Sequence, residues 1–163
     1  MTVSPITIGI VGSEAIKFTP VTEREARNLI RRILSQYDAR PTVVSGACHL
    51  GGIDLWAAEI GRELGLDVVE HAPRTLSWET GYKPRNLLIA ASDVTHCITV
   101  SELPPSYTGM RFKLCYHCGT DSHVKSGGCW TVKQARRLGR LGHVWVVDPH
   151  GGVQQYEQEG KGL

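Results

Sequence analysis

The chain has 163 residues, 41% of them hydrophobic and 21% charged, with a formal net charge of +2. That length suits one domain with a proper core, and the charge is too small to argue by itself for a nucleic acid or an anionic membrane. No run approaches the roughly 18–20 apolar residues of a membrane span. Met1 to Ile10 lacks the basic start and cleavage-like site of a signal peptide, so a cytoplasmic protein without a membrane partner is expected. The five cysteines, two of them as Cys115-x-x-Cys118, suit a metal or redox site in a reducing compartment better than a disulfide framework.

Along the chain, strand and helix signals alternate. Ile6 to Val11 is a β-branched run that ends at Gly12-Ser13. Thr22-x-x-Glu25 has the form of a capping box and opens a helix whose Ala26, Leu29, Ile30, Ile33, Leu34 and Tyr37 share one face. Arg24, Arg27, Arg31 and Arg32 alternate with carboxylates on that helix and read as its solvated face. After Pro41, Thr42 to Ala47 reads as a second strand. Gly51-Gly52 leads into a second helix with Ile53, Ala57, Ile60 and Leu64 inward and Gly65 as its stop.

Asp67 to Glu70 is a third strand, followed by a loop with Trp78, Gly81 and Tyr82. Pro84 suits the first position of a third helix running to about Ser92, and Thr95 to Val100 is a fourth strand. Residues 102–129 break the rhythm with Pro, Gly, Cys and His. A basic helix from about Thr131 to Arg140 and a strand from His143 to Val147 complete the series, and the polar tail from Gly151 to Leu163 is expected to fray. This pattern predicts an α/β fold, a Rossmann-like three-layer sandwich with a mainly parallel five-stranded sheet. It spans residues 1–150 as one domain and carries the Cys/His-rich insert. Ligands of such sheets sit beyond the C-terminal strand ends, where strand order reverses.

Three strand-to-helix turns on that edge could cradle an anion, because small residues let backbone N–H groups approach it and a helix N-terminus adds a favourable dipole. They are Gly12-Ser13, the stretch from Ser45-Gly46-Ala47 to Gly52-Ile53-Asp54, and Ser126-Gly127-Gly128 before Thr131. None matches the dinucleotide fingerprint or the P-loop, which disfavours a standard hydride-transfer enzyme or NTPase.

Ser45-Gly46-Ala47 with Gly52-Ile53-Asp54 resembles the SGGA-x-G-x-D signature of the SLOG superfamily, the group that includes DNA-processing protein A and the Lonely-guy phosphoribohydrolases. Pro84-Arg85-Asn86 followed by Ala91-Ser92-Asp93 is similar to its RN…aD element, and Ser126 to Thr131 is similar to its PGG-x-GT phosphate loop. The resemblance spans roughly residues 6 to 147. It implies binding of a nucleotide or nucleotide-derived small molecule through Gly12, Ser13, Ser45, Gly46, Ala47, Gly52, Asp54, Arg85, Asn86, Ser126, Gly127, Gly128 and Thr131. Some members cleave the N-glycosidic bond of a nucleoside monophosphate, and Arg85 matches their arginine. Gln134 stands where their glutamate would be, and Trp130 replaces a glycine. An amide cannot ionise, so the pattern supports binding more than hydrolysis.

Asp54, Glu59, Glu79 and Asp93 are the carboxylates that could restore catalysis, and Asp54 sits best at the pocket edge; Asp54 and Arg85 are therefore the candidate catalytic pair. Asp54 at a helix N-terminus could equally serve only the dipole. Trp78 and Tyr82 could stack on a base or line the core. A non-catalytic sensor of a nucleotide signal is the first alternative.

Cys115-x2-Cys118-x4-His123-x5-Cys129 departs by one residue from zinc-knuckle spacing. Thiolates and an imidazole suit tetrahedral Zn2+, and a structural ion would order a segment poor in apolar residues. His117 competes with His123, and Cys129 could belong to the phosphate loop instead. Cys48 and Cys97 read as buried thiols. A zinc knuckle also raises a nucleic-acid-associated module, with Lys133, Arg136, Arg137 and Arg140 as the one basic patch, but the near-neutral charge disfavours nucleic acid as a partner. Self-association into a homo-oligomer stays open.

Overall fold

In the computed structural model, which describes residues 5–111 and 114–156, the β-branched runs form one six-stranded sheet. Its strands are β1 Thr7–Gly12, β2 Thr42–Ser45, β3 Val68–Glu70, β4 Val94–Val100, β5 Leu141–Val147 and β6 Val153–Tyr156, in the order β3-β2-β1-β4-β5-β6. All neighbours pair in parallel except β5 and β6. The central β4 is buried along its whole length, as expected for a parallel strand covered on both faces.

Helices α1 Pro20–Ser35 and α2 Ile53–Glu63 cover one face, where Ile8, Ile10, Val43, Ile98 and Val100 meet Leu29, Ile30, Ala57 and Ile60. Helices α3 Lys83–Ala90 and α4 Gly127–Arg137 cover the other, where Val11, Val44, Cys97 and Val144 meet Ile89, Cys129 and Val132. This split follows from the period of two along each strand. Chain order runs outward from β1 to β3 on one side and from β4 to β6 on the other, so the direction reverses between β1 and β4.

The sheet has six strands where five were expected, because the first part of the tail does not fray. Asp148 accepts hydrogen bonds from the backbone N–H groups of His150 and Gly152, and its own N–H donates to the Gly152 carbonyl. Such an Asx-type turn folds Val153–Tyr156 back onto β5 as an antiparallel edge strand. The remainder of the tail lies outside the described residues.

Three helix starts also differ from expectation. Helix α1 begins at Pro20, with Thr19 as its cap: the Thr22 N–H donates to Thr19 Oγ1, and the Thr19 N–H to Thr22 Oγ1. Thr22 is thus the third residue of the capping box, and Pro20 supplies the first helical position, where no donor is needed. Helix α3 starts at Lys83 directly after a π-type turn, Trp78–Tyr82, and ends at Ala90, short of Ser92.

Helix α4 starts at Gly127 and ends at Arg137, with Ser126 as its cap. Its two glycines have poor helix propensity and read as loop, but Ser126 Oγ accepts from the Gly128 N–H and fixes the first turn. Gly128 also sits against β1 and β4: a Cβ there would lie 2.7 Å from Cys97 Sγ and 3.2 Å from the Gly12 nitrogen. Gly128→Ala should therefore push α4 off the sheet and cost about 1–3 kcal/mol, read as a shifted urea midpoint at unchanged slope.

Candidate functional site

At the reversal point, beyond the C-terminal ends of β1 and β4, lies a cleft of about 420 Å³. Gly12 and Ser13 form its floor from β1, Asp54 comes from the first turn of α2, and Arg85 and Asn86 come from α3. Ser126, Gly127, Gly128 and Thr131 enter from the first turn of α4. Segments more than 100 residues apart in sequence thus share one wall. Four other residues nominated from sequence do not line it. Ser45 is buried and donates its hydroxyl to the Asp54 carbonyl at 2.6 Å, and Ala47 stands half-buried beside Cys48.

Gly46 lies behind Arg85, which donates Nη1 to its carbonyl at 3.0 Å. A Cβ on Gly46 would meet Arg85 Cζ at 2.7 Å, so only glycine lets the guanidinium lie there. Gly52 has φ +85° and would place a Cβ 2.3 Å from the Ser13 carbonyl. It lets the Ile53 N–H reach that carbonyl at 3.2 Å. Gly46 and Gly52 are framework for the cleft rather than its surface.

Arg85 and Asp54 form a buried ion pair at 3.6 Å. Burial pushes the Asp54 carboxyl up to about 7, and the guanidinium opposes this only in part. Arg85 is further held by Asn86 Oδ1, which accepts from Nε at 2.7 Å, and by the His71 carbonyl, which accepts from Nη1 at 3.4 Å. Tyr82 faces the guanidinium at 5.4 Å. Trp78 lines the cleft and meets Trp130 edge-on at 4.8 Å, so the ring both faces the cleft and packs on the protein.

The other candidate carboxylates are elsewhere. Glu59 pairs with Arg27 and Glu79 with Lys83 at exposed positions. Asp93 accepts from the Thr7 N–H and Oγ1 and pairs with Arg140. Gln134 does not line the cleft.

The cysteine and histidine positions of the insert converge. The ligating atoms of Cys115, Cys118, His123 and Cys129 all lie within 4.8 Å of one another, which makes these four a candidate metal-binding site. The turn that brings the first two together is built by the Cys118 and Gly119 N–H groups, both of which donate to the Cys115 carbonyl. His123 is anchored by its neighbours, since the Val124 N–H donates to the Val100 carbonyl and Thr99 Oγ1 donates to that of Val124.

Cys129 Sγ and His123 Nε2 are 3.5 Å apart, close to the roughly 3.5 Å that two ligands of a tetrahedral Zn–S, Zn–N centre would show. The other imidazole nitrogen, Nδ1, is 3.0 Å from Ser122 Oγ, the kind of outer partner that orients a ligating histidine. His117, the competing ligand, packs on Tyr116 instead.

Hydrogen bonds from Cys118, then Cys129 and His123, and the Ser126 N–H hold the Cys115 thiol far below the ordinary range. Cys129 moves the opposite way, raised first by Cys115 and then Cys118. The cluster as a whole therefore holds negative charge more readily than separate thiols would, and a dication would let its cysteines ionise fully. Cys97 is buried as expected, 4.0 Å from Cys129 Sγ, whereas Cys48 is half-buried and lines the cleft. None of the five cysteines forms a disulfide.

Sequence reading missed Glu14, Lys17, Tyr107 and Lys125, which also line the cleft. Lys17 closes a short 3-10 turn, Ala15–Lys17, just past β1; its place next to a nominated strand end was the available signal. A second groove of about 440 Å³ runs along α1 between Phe18 and Arg31. Its arginines are matched by Glu25, Glu23, Glu59 and Glu63, which fits a solvated face. The basic patch on and just after α4 is partly structural too, since Arg136 donates to the Gly142 carbonyl and Arg140 pairs with Asp93. Among the described residues no helix is long and apolar enough to cross a membrane. Comparison with family models, curated proteins and solved structures found no match to this chain.

Proposed function

We propose that this chain is a SLOG-like, Rossmann-like three-layer domain that binds a nucleotide or nucleotide-derived small molecule in the reversal-point cleft. A structural zinc ion would be held by Cys115, Cys118, His123 and Cys129. The observation that carries the binding reading is the convergence of Gly12-Ser13, Asp54, Arg85-Asn86 and Ser126–Thr131 on one cleft. That is the position at which open α/β sheets bind ligands. Zinc is favoured among metals by three thiol donors, one imidazole and the closed, buried setting. Five cysteines without a disulfide fit a reducing compartment such as the cytoplasm.

Arg85→Ala is expected to lower nucleotide affinity at least about tenfold without unfolding the domain. Calorimetry with the four ribonucleoside 5′-monophosphates checks this, and unchanged affinity would remove Arg85 from the site. Catalysis rests on Asp54, whose carboxyl near 7 is placed to exchange a proton at neutral pH. The reaction would be cleavage or transfer at the N-glycosidic bond of a nucleoside phosphate, with Asp54 activating water and Arg85 positioning the ligand. Release of free base, followed by chromatography and lost in Asp54→Asn, tests it. A protein that binds without releasing base is a sensor or sequestering module, a reading favoured by the absence of Gln134 from the cleft wall.

A further inference from the structure

Lys17 and Lys125 belong to none of the motifs that define the cleft, yet both line it. Lys17 Nζ donates to the Lys125 carbonyl at 3.3 Å, so the turn after β1 and the insert meet at this end. An ammonium has three donors, and that carbonyl takes one. Burial pulls Lys17 below the ordinary lysine range; Glu14 and Cys115 oppose this, and Lys125 adds to it. Lys125 Nζ lies over the Tyr116 ring, 5.2 Å from its centroid, and burying the Lys17 ammonium near this second positive charge costs stability that a bound anion would return.

Arg85 is poorly free to do the same work. Its Nε and Nη1 are committed to Asn86 Oδ1 and to the Gly46 and His71 carbonyls, and Asp54 neutralises it. A bidentate phosphate fork needs two open N–H edges, and those bonds take at least one. Gly127, in contrast, leaves open space where a Cβ would stand and exposes the first turn of α4 to the cleft.

We propose that Lys17 and Lys125 form the phosphate-recognising end of the cleft, selecting a ligand with a dianionic phosphate or a diphosphate, while Arg85 holds the rest of the molecule. This rests on the nucleotide-binding reading for the ligand's other end, but the phosphate end can be tested alone. The probes are inorganic pyrophosphate and the four ribonucleoside 5′-diphosphates, titrated by calorimetry into the full-length protein, Lys17→Met and Lys17→Arg. Wild type is expected to bind pyrophosphate and at least one nucleotide. Lys17→Met should weaken each about tenfold or more, Lys17→Arg should recover most of that loss, and Lys17→Met should melt no lower than wild type.

Equal binding by Lys17→Met and wild type overturns the assignment. So does loss of binding accompanied by a lowered melting temperature that Lys17→Arg does not repair, because that marks a structural lysine. Binding of pyrophosphate without any nucleotide upholds the lysine pair and sinks the nucleotide reading. No binding of either probe sinks both.

Discussion

Stripping the metal proposed for the Cys115, Cys118, His123 and Cys129 site should lower the melting temperature by about 10–20 °C and abolish the proposed nucleotide binding together with it. The size follows from what the site holds. Among the described residues between β4 and α4, the ties are local turns and bonds rather than helix or strand: Tyr107 N–H and the Arg111 guanidinium on nearby carbonyls, the Cys115–Thr120 bridge and the turn at Cys118 and Gly119, with Val124 joined to β4. A closed four-ligand site supplies folding free energy directly. A loss of about 5 kcal/mol moves a domain of this size by roughly 2–4 °C per kcal/mol.

Binding fails with it because the ligands flank the anion-facing turn. His123 precedes Lys125 and Ser126, Cys129 follows Gly128, and the Ser126 N–H is bonded to the Cys115 sulfur. Cys129→Ser should reproduce the chelator's effect, since Cys129 is fully buried against Cys97. Cys48→Ala, outside the cluster, should shift melting by no more than about 2 °C. Differential scanning calorimetry with and without chelator, alongside metal analysis of the same sample, checks all three. A melt that ignores complete metal removal defeats the structural role.

The readable and unreadable parts of this molecule divide along one physical line. Strands such as Thr42–Ser45 and Val94–Val100, and the inward face of α1, are written in local periodicity, and so is the spacing that unites Cys115 with Cys118. What sequence could not rank was anything decided by partners far along the chain. His123 rather than His117 joins the three cysteines because Val124 is pinned to β4, a tertiary fact. Gly46 and Gly52 look like phosphate-loop glycines, but Arg85 and the Ser13 carbonyl occupy the space beside them. Lys17 and Lys125 are 108 positions apart, and no window of sequence shows them meeting. Strand β6 was missed for a different reason: its alternation is weak, and the turn chemistry of Asp148 creates the pairing.

Between pH 5 and 8, replacing Asp54 by Asn should change the pH dependence of stability by about 2.5–3 kcal/mol, and replacing His96 should change it in the opposite sense at the acid end. Asp54 is raised to about 7 by burial, partly opposed by Arg85, so the folded state binds its proton more tightly than the unfolded chain. Its contribution is fully present below the ordinary carboxyl range and is lost as pH rises to about 7, at roughly 1.4 kcal/mol per pH unit.

His96 is lowered to about 3, by burial first and then by His143. Trp145 Nε1 donates to its Nδ1 at 3.0 Å, and Tyr37 Oη lies 3.4 Å from its Nε2, an arrangement that keeps the ring neutral with its proton on Nε2. The His96 contribution is present above about 6.5 and lost as pH falls toward 3. The two slopes cancel in wild type up to about pH 6.5. Above that only Asp54 still titrates, and stability declines.

Asp54→Asn removes that decline and leaves a rise with pH from 5 to 6.5. His96→Asn leaves a fall across the same range. Urea unfolding at pH 5, 6.5 and 8 reads both, and comparison with wild type at each pH cancels the protons taken up by the metal-site thiols. Equal pH profiles for Asp54→Asn and wild type mean that Asp54 stays ionised in the fold. That result removes its proton-exchanging role at neutral pH.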